Sequence, residues 1–83
     1  AVGPGMLVVA DARINKVLVF DEHGVIITKF GGSGKAAGQF SKLRDVEVDR
    51  FGFIYTADAG NKSVSRFSDR GILLSRARFE SLV

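Results

Sequence analysis

The chain has 83 residues, enough for one small domain, and its share of apolar residues is ordinary for a folded protein. It has no cysteine, which excludes a disulfide framework and a thiolate metal site. The formal net charge of +3 permits an anionic partner without requiring one. The sequence shows no signal peptide and no apolar run of membrane-spanning length, so we expect a cytoplasmic protein with no membrane partner.

Short apolar segments alternate with turn-forming residues, and no segment sustains a helical period. The strands predicted in chain order are 6–10, 16–20, 25–30, 43–49, 53–57, 63–67 and 72–78. The turns at 21–24 and 68–71 end in glycine, as tight hairpins favour. The predicted class is all-β.

The chain repeats itself at a constant offset of 47 residues. Residues 5–12, GMLVVADA, align with residues 52–59, GFIYTADA. Further identities at the same offset are Val17 with Val64, Phe20 with Phe67, and Gly24 with Gly71. A period in the forties, with short strands that are apolar on both faces, is typical of a β-propeller blade built from a four-stranded antiparallel sheet.

The second copy carries GQF at 38–40, VEVD at 46–49 and GFIYTAD at 52–58, and the first carries VVAD at 8–11 and KVLVFD at 16–21. These segments resemble the NHL repeats, and the resemblance implies about two blades of a six-bladed propeller. The chain departs from the NHL pattern at four positions. Leu43 replaces a usual proline, Asp45 a usual glycine, Ser63 a usual arginine and Ile14 a usual asparagine.

The predicted organisation follows from the two copies. Residues 1–38 form the first blade, with most of its innermost strand missing, and the inter-blade loop. Residues 39–78 form the second blade, and 79–83 begin a further innermost strand. Two blades leave apolar faces uncovered, which predicts further blades as partners. These belong either to the same chain in a longer protein or to a homo-oligomer, most simply a trimer.

Three features invite a catalytic or ligand-binding interpretation, and none has the required context. The glycine-rich segment 31–38 fails the phosphate-loop spacing, because Lys29 stands at the first glycine position and Ala36 follows Lys35. His23 is a single histidine in a polar turn. Asp11 and Asp58 recur at matching places, which favours a structural role in the turns that follow them. We predict no enzyme, no cofactor and no metal site.

The predicted topology gathers basic residues at one end of the blades, because the loops 11–16, 31–42 and 58–63 share that end. NHL domains similar to this one occur in tripartite-motif proteins, where a basic face binds RNA. The resemblance implies a non-catalytic scaffold that binds RNA phosphates, with the ring of Phe40 available for stacking. Three alternatives stay open: a solvated polar rim, a protein–protein interaction module, and a self-assembling fragment or engineered repeat protein with no ligand of its own. The predicted phosphate-binding residues are Arg13, Lys16, Lys35, Lys42, Arg44 and Lys62.

Overall fold

A computed structural model describes residues 1–79, which form two four-stranded antiparallel sheets joined by the loop 32–42. In both sheets, neighbours in sequence are neighbours in space. Sheet 1 consists of β1 (Val2–Gly3), β2 (Met6–Asp11), β3 (Lys16–Asp21) and β4 (Ile26–Gly31). Sheet 2 consists of β5 (Leu43–Val48), β6 (Ile54–Asp58), β7 (Ser63–Phe67) and β8 (Leu73–Arg78).

The all-β class is confirmed, and every predicted strand ends within one residue of its observed bounds. The backbone N–H of Phe79 donates to the carbonyl of Lys62 (2.9 Å). The equivalent bond in the first copy runs from the N–H of Gly32 to the carbonyl of Asn15 (2.7 Å). The rest of the predicted segment 79–83 lies outside the described residues. Within residues 1–79, no helix is long and apolar enough to cross a membrane.

Polar side chains build the hairpin turns at the end of the sheets where β3, β5 and β7 finish. In each turn, one side-chain oxygen accepts hydrogen bonds from the backbone N–H groups two and four residues later, which stabilises the tight reversal. The sets are Asp21 with His23 and Val25 (2.8 and 2.9 Å), Asp49 with Phe51 and Phe53 (2.9 and 3.0 Å), and Ser68 with Arg70 and Ile72 (3.3 and 3.1 Å).

Asp49 is also bound by a side chain of the neighbouring strand. Its Oδ2 accepts a hydrogen bond from the hydroxyl of Tyr55 (2.9 Å). Burial of the Asp49 carboxylate by itself raises its pKa, but the Tyr55 hydroxyl and the turn N–H groups outweigh that effect and hold the pKa below its ordinary value. The carboxylate therefore fastens the turn to β6.

The core lies between the two sheets. Cross-strand partners share a face, so the alternation along β2 and β3 sends one set of side chains toward sheet 2 and the other set away from it. Each fully buried Val, Ile or Phe contributes about 1.5–3 kcal/mol to folding, so this single layer supplies most of the hydrophobic stabilisation. The buried apolar residues are Met6, Val8, Val17, Val19, Phe40, Leu43, Val46, Ile54 and Phe67.

Three aromatic rings close the core on the side of the connecting loop. The ring of Phe67 lies 4.5 Å from that of Phe30 and 6.0 Å from that of Phe40, measured between centroids. Gly31 is required where the loop leaves β4. It has φ of 105°, and a Cβ at this position would lie 2.6 Å from the Phe40 ring. The entry to the loop is thus fixed by the same ring that fills the core.

Candidate functional site

Asp58 ties two loops together at the end of the sheets where β2, β4 and β6 finish. Its buried carboxylate accepts hydrogen bonds from the backbone N–H groups of Ser41 (2.8 Å), Lys42 (2.7 Å) and Gly60 (3.1 Å). The carbonyl of Lys42 in turn accepts from the N–H of Ala59 (3.0 Å). The turn 59–62 is therefore held against the loop 32–42.

Two asparagines fix the remaining contacts of that loop. Asn15 accepts a hydrogen bond from the Leu43 N–H (3.1 Å) and donates to the Ser33 hydroxyl (3.1 Å), so the turn 12–15 is joined to the loop at both of its ends. The buried Asn61 donates to the carbonyl of Gly34 (2.9 Å). Three loops thus form one hydrogen-bonded surface, which we call the loop end.

The loop end presents the six predicted phosphate-binding residues. Arg13, Lys35, Lys42 and Lys62 lie on the three connected loops, while Lys16 and Arg44 lie at the starts of β3 and β5. Five of the six side chains are exposed, and Lys16 is half-buried. Lys35, Lys42, Arg44 and Lys62 form no ion pair with any other described residue.

Two of the three aspartates at this end are already bound by donors or by a cation. Asp58 is buried under its three N–H donors. Asp11 is paired with Arg13, whose Nη2 lies 3.1 Å from Asp11 Oδ2. The Arg13 side chain lowers the pKa of Asp11, and Asp11 raises the pKa of Arg13. Asp45 is exposed and accepts a hydrogen bond from the N–H of Val46. The free charge of the surface is therefore positive.

The structural interpretation of the recurring aspartates is supported, with one difference between the copies. In the second copy Asp58 binds its own turn and also the loop 32–42. In the first copy Asp11 binds only its own turn, through the backbone N–H and the guanidinium of Arg13.

The prediction that Phe40 offers a ring for stacking is wrong. Phe40 is 1% exposed, and its ring packs edge-on against Phe67 in the core. Its place in a glycine-rich loop suggested an exposed side chain. Phe40 instead packs between the two sheets as part of the core, and the loop folds back over it.

Sequence reasoning missed two residues of this surface. Arg78 is exposed and pairs in register with Ser63, which places it at the loop end beside the start of β7. The predicted strand 72–78 was sufficient to place Arg78 here, because the last residue of that strand lies at the same end as the loop 58–63. Asn15 was missed because the offset of 47 residues aligns Asn61 with Ile14. In the first copy the asparagine lies one residue later, at Asn15.

The glycine-rich segment uses its N–H groups within the loop. Gly34 N–H donates to the Phe40 carbonyl (3.0 Å), Phe40 N–H to the Gly32 carbonyl (2.9 Å), and Gln39 N–H to the Ala36 carbonyl (3.0 Å). His23 lies at the opposite end, exposed, with Nε2 3.6 Å from Glu22 Oε1. Across residues 1–79, no three His, Cys, Asp or Glu side chains stand close enough together to hold a metal ion.

The chain can now be compared with known proteins. Residues 2–79 match the family DUF5128, described as a 6-bladed beta-propeller. The chain belongs to this family. Its two four-stranded sheets are two propeller blades, and the predicted propeller architecture is confirmed.

A solved structure shows the same fold. The crystal structure of a protein from Bacteroides fragilis NCTC 9343, thought to be exported, superposes on the chain with a TM-score of 0.80 at 20% sequence identity. The match covers 94% of this propeller segment and 23% of the Bacteroides protein, so the chain spans about a quarter of that protein's length. No curated protein matches the chain.

Proposed function

We propose that this pair of propeller blades is a non-catalytic binding scaffold of the NHL type, and that its loop end binds the phosphates of single-stranded RNA. The observation that carries the proposal is the charge balance of that surface. Exposed cations from three loops lie together, while of the three aspartates at this end Asp58 is buried, Asp11 is paired with Arg13, and Asp45 is exposed.

Rigidity supports the same assignment. The cations stand on loops that are fastened to one another by Asp58, Asn15 and Asn61. A surface whose backbone is fixed loses less conformational entropy when it binds an extended anion. Phosphate contacts of this kind set affinity and orientation but read no base sequence. We therefore expect binding with little sequence preference, and the proposal implies a location where RNA is present, the cytoplasm.

A salt titration tests the proposal. Binding of a fluorescent single-stranded RNA of about 12 nucleotides is measured by anisotropy at several salt concentrations. Six phosphate contacts predict a slope of roughly −4 for log K against log salt, at about 0.7 per contact. The affinity then falls on the order of 300-fold between about 50 and 200 mM salt. Affinity that is absent, or flat across that range, contradicts the proposal.

Two matched double variants locate the surface. Lys35→Gln with Lys62→Gln removes two charges from the loop end, and Arg50→Gln with Arg70→Gln removes two from the opposite end. The first pair reduces the slope by roughly 1.4, and the second leaves it unchanged. Equal effects of the two pairs would mean that net charge alone attracts the RNA. Binding of heparin as tight as that of RNA would point to a general polyanion surface.

A further inference from the structure

Lys35 and Lys62 extend from neighbouring stretches of backbone at the loop end. The Asn61 amide donates to the Gly34 carbonyl (2.9 Å), which joins the turn 59–62 to the glycine-rich loop. Each lysine is the residue that follows one of these two partners. The bond therefore holds the two exposed lysines in one place.

Two arginines of β8 continue from Lys62 away from the loops. The Phe79 N–H donates to the Lys62 carbonyl (2.9 Å), which places Arg78 beside this lysine. Arg76 lies two residues earlier, on the same face of the strand. In the sheet order, β8 is an edge strand of sheet 2. The cations that run from the loop end to the β8 edge form what we call the cationic row: Lys35, Lys62, Arg78 and Arg76.

The two arginines lie on the face of sheet 2 that is turned toward sheet 1. Arg76 and Arg78 pair in register with Ser65 and Ser63, and cross-strand partners share a face. Both serines are buried on the side of β7 that also carries Phe67, a residue of the core between the sheets. Arg78 is exposed and Arg76 half-buried at the margin of that core. Sheet 1 is part of the described chain, so contacts within residues 1–79 set the exposure of both arginines.

The blade fold does not by itself require these charges. At the offset of 47 residues, Lys62 is equivalent to Asn15 and Arg78 to Gly31. Of the three members of the row in the second copy, Arg76 alone has a cationic equivalent, which is Lys29. The cationic row is therefore a chemical feature of the second blade, added to a backbone that both blades share.

The row suits the phosphates of an extended chain. None of its four members forms an ion pair with another described residue. A guanidinium group offers two parallel N–H donors to the oxygens of one phosphate, which an ammonium group does not. Two residues along a strand are separated by roughly 6.6 Å, so Arg76 and Arg78 start from positions far enough apart to contact two phosphates.

We propose that bound RNA leaves the loop end along the cationic row, and that Arg78 and Arg76 each bind one of its phosphates at the β8 edge. The inference rests on the proposed binding of RNA at the loop end. It adds two phosphate contacts to the six of that surface and places them on a strand, outside the three connected loops. It also gives the bound RNA a direction, outward across the last strand of sheet 2.

The salt dependence of RNA binding counts the contacts. Eight phosphate contacts predict a slope of roughly −5.6 for log K against log salt, where six predict roughly −4. The affinity of the native chain then falls on the order of 2,000-fold between about 50 and 200 mM salt. Arg76→Gln with Arg78→Gln should return the slope to roughly −4. Arg76→Lys with Arg78→Lys should keep the native slope but weaken binding, because the charge remains and the forked donors are lost.

A spectroscopic measurement on the native chain needs no variant, so a substitution that fails to fold cannot obscure it. The Nε–H signals of the arginine side chains are followed by ¹⁵N NMR while the same single-stranded RNA is added. The signals of Arg76 and Arg78 should shift and reach saturation together with the anisotropy. Those of Arg50 and Arg70, in the turns at the opposite end of the sheets, should stay in place.

The outcomes separate this inference from the proposed function. If the native chain binds RNA but the slope is unchanged by Arg76→Gln with Arg78→Gln, the outward path is wrong and binding at the loop end stands. Binding without a shift of the Arg76 and Arg78 signals leads to the same conclusion. An equal loss of slope in Arg50→Gln with Arg70→Gln would also overturn the path, because net charge alone would then explain the effect. A native chain that binds no RNA overturns both proposals.

Discussion

Asp58 and Asp11 occupy equivalent positions in the repeat but form different sets of hydrogen bonds. Asp58 is buried, and three backbone N–H groups from two loops converge on its carboxylate. Asp11 is partly exposed and binds only Arg13 in its own turn. Removing a buried acceptor leaves its donors unsatisfied, whereas an exposed one is replaced by water. The two positions therefore form a matched pair for measuring what the buried carboxylate contributes.

We expect Asp58→Ala to lower the free energy of unfolding by about 2–4 kcal/mol, because three backbone N–H groups lose a charged, buried acceptor. Urea denaturation at fixed protein concentration measures the change. Asp11→Ala should leave the midpoint nearly unchanged. Equal effects of the two substitutions would show that the bonds from the loop 32–42 contribute little to stability.

At the scale of one turn, the two copies place different residues in the same left-handed backbone conformation. Asn15 and Lys62 are equivalent in the repeat, and both are left-handed, with φ of 55° and 51°. Asparagine tolerates this region, while lysine adopts it at a cost of roughly 1–2 kcal/mol. We therefore expect asparagine to be more stable than lysine at this position.

Lys62→Asn should raise the free energy of unfolding by about 0.5–1 kcal/mol because it relieves that backbone cost. The reciprocal change, Asn15→Lys, should be destabilising, since it introduces the same cost and removes the amide bonds to the loop 32–42. Thermal denaturation of the two variants measures both effects. The same Lys62→Asn variant should reduce the salt slope of RNA binding by roughly 0.7. A variant that is less stable than the native chain contradicts the interpretation of Lys62.

The strands were predictable because each is a short apolar segment bounded by turn residues, and the repeat gave two independent copies of the pattern. The turn at 21–24, for example, is set by Asp21 and Gly24, and both are visible in the sequence. The first strand, Val2–Gly3, was predicted only as the remainder of an innermost strand and without bounds, since two residues carry no period. Its place is fixed by pairing with β2.

The loop 32–42 was less predictable, because contacts distant in sequence determine its shape. Phe40 looked available for stacking, yet Phe67, 27 positions later, receives its ring in the core. Asn15 and Asn61 act on this loop from turns on either side of it. Local composition shows that such a segment is a loop, but not which of its side chains point inward. The location of the six cations at one end of the sheets was easier to predict, because it follows from the strand order. Their binding of phosphate stays a prediction.

At the scale of the whole molecule, residues 1–79 have one buried apolar layer, which lies between the two sheets. A single layer between two sheets is a thin core for 83 residues, and chains of this size bury only roughly 60–65% of their unfolded surface. Leu7 and Ile54 are equivalent at the offset of 47 residues, yet Leu7 is 44% exposed and Ile54 is 0% exposed. The difference arises because sheet 1 packs against Ile54. Which copy of an apolar residue is buried is therefore decided by the packing of one blade on the next, and the sequence of one blade does not show it.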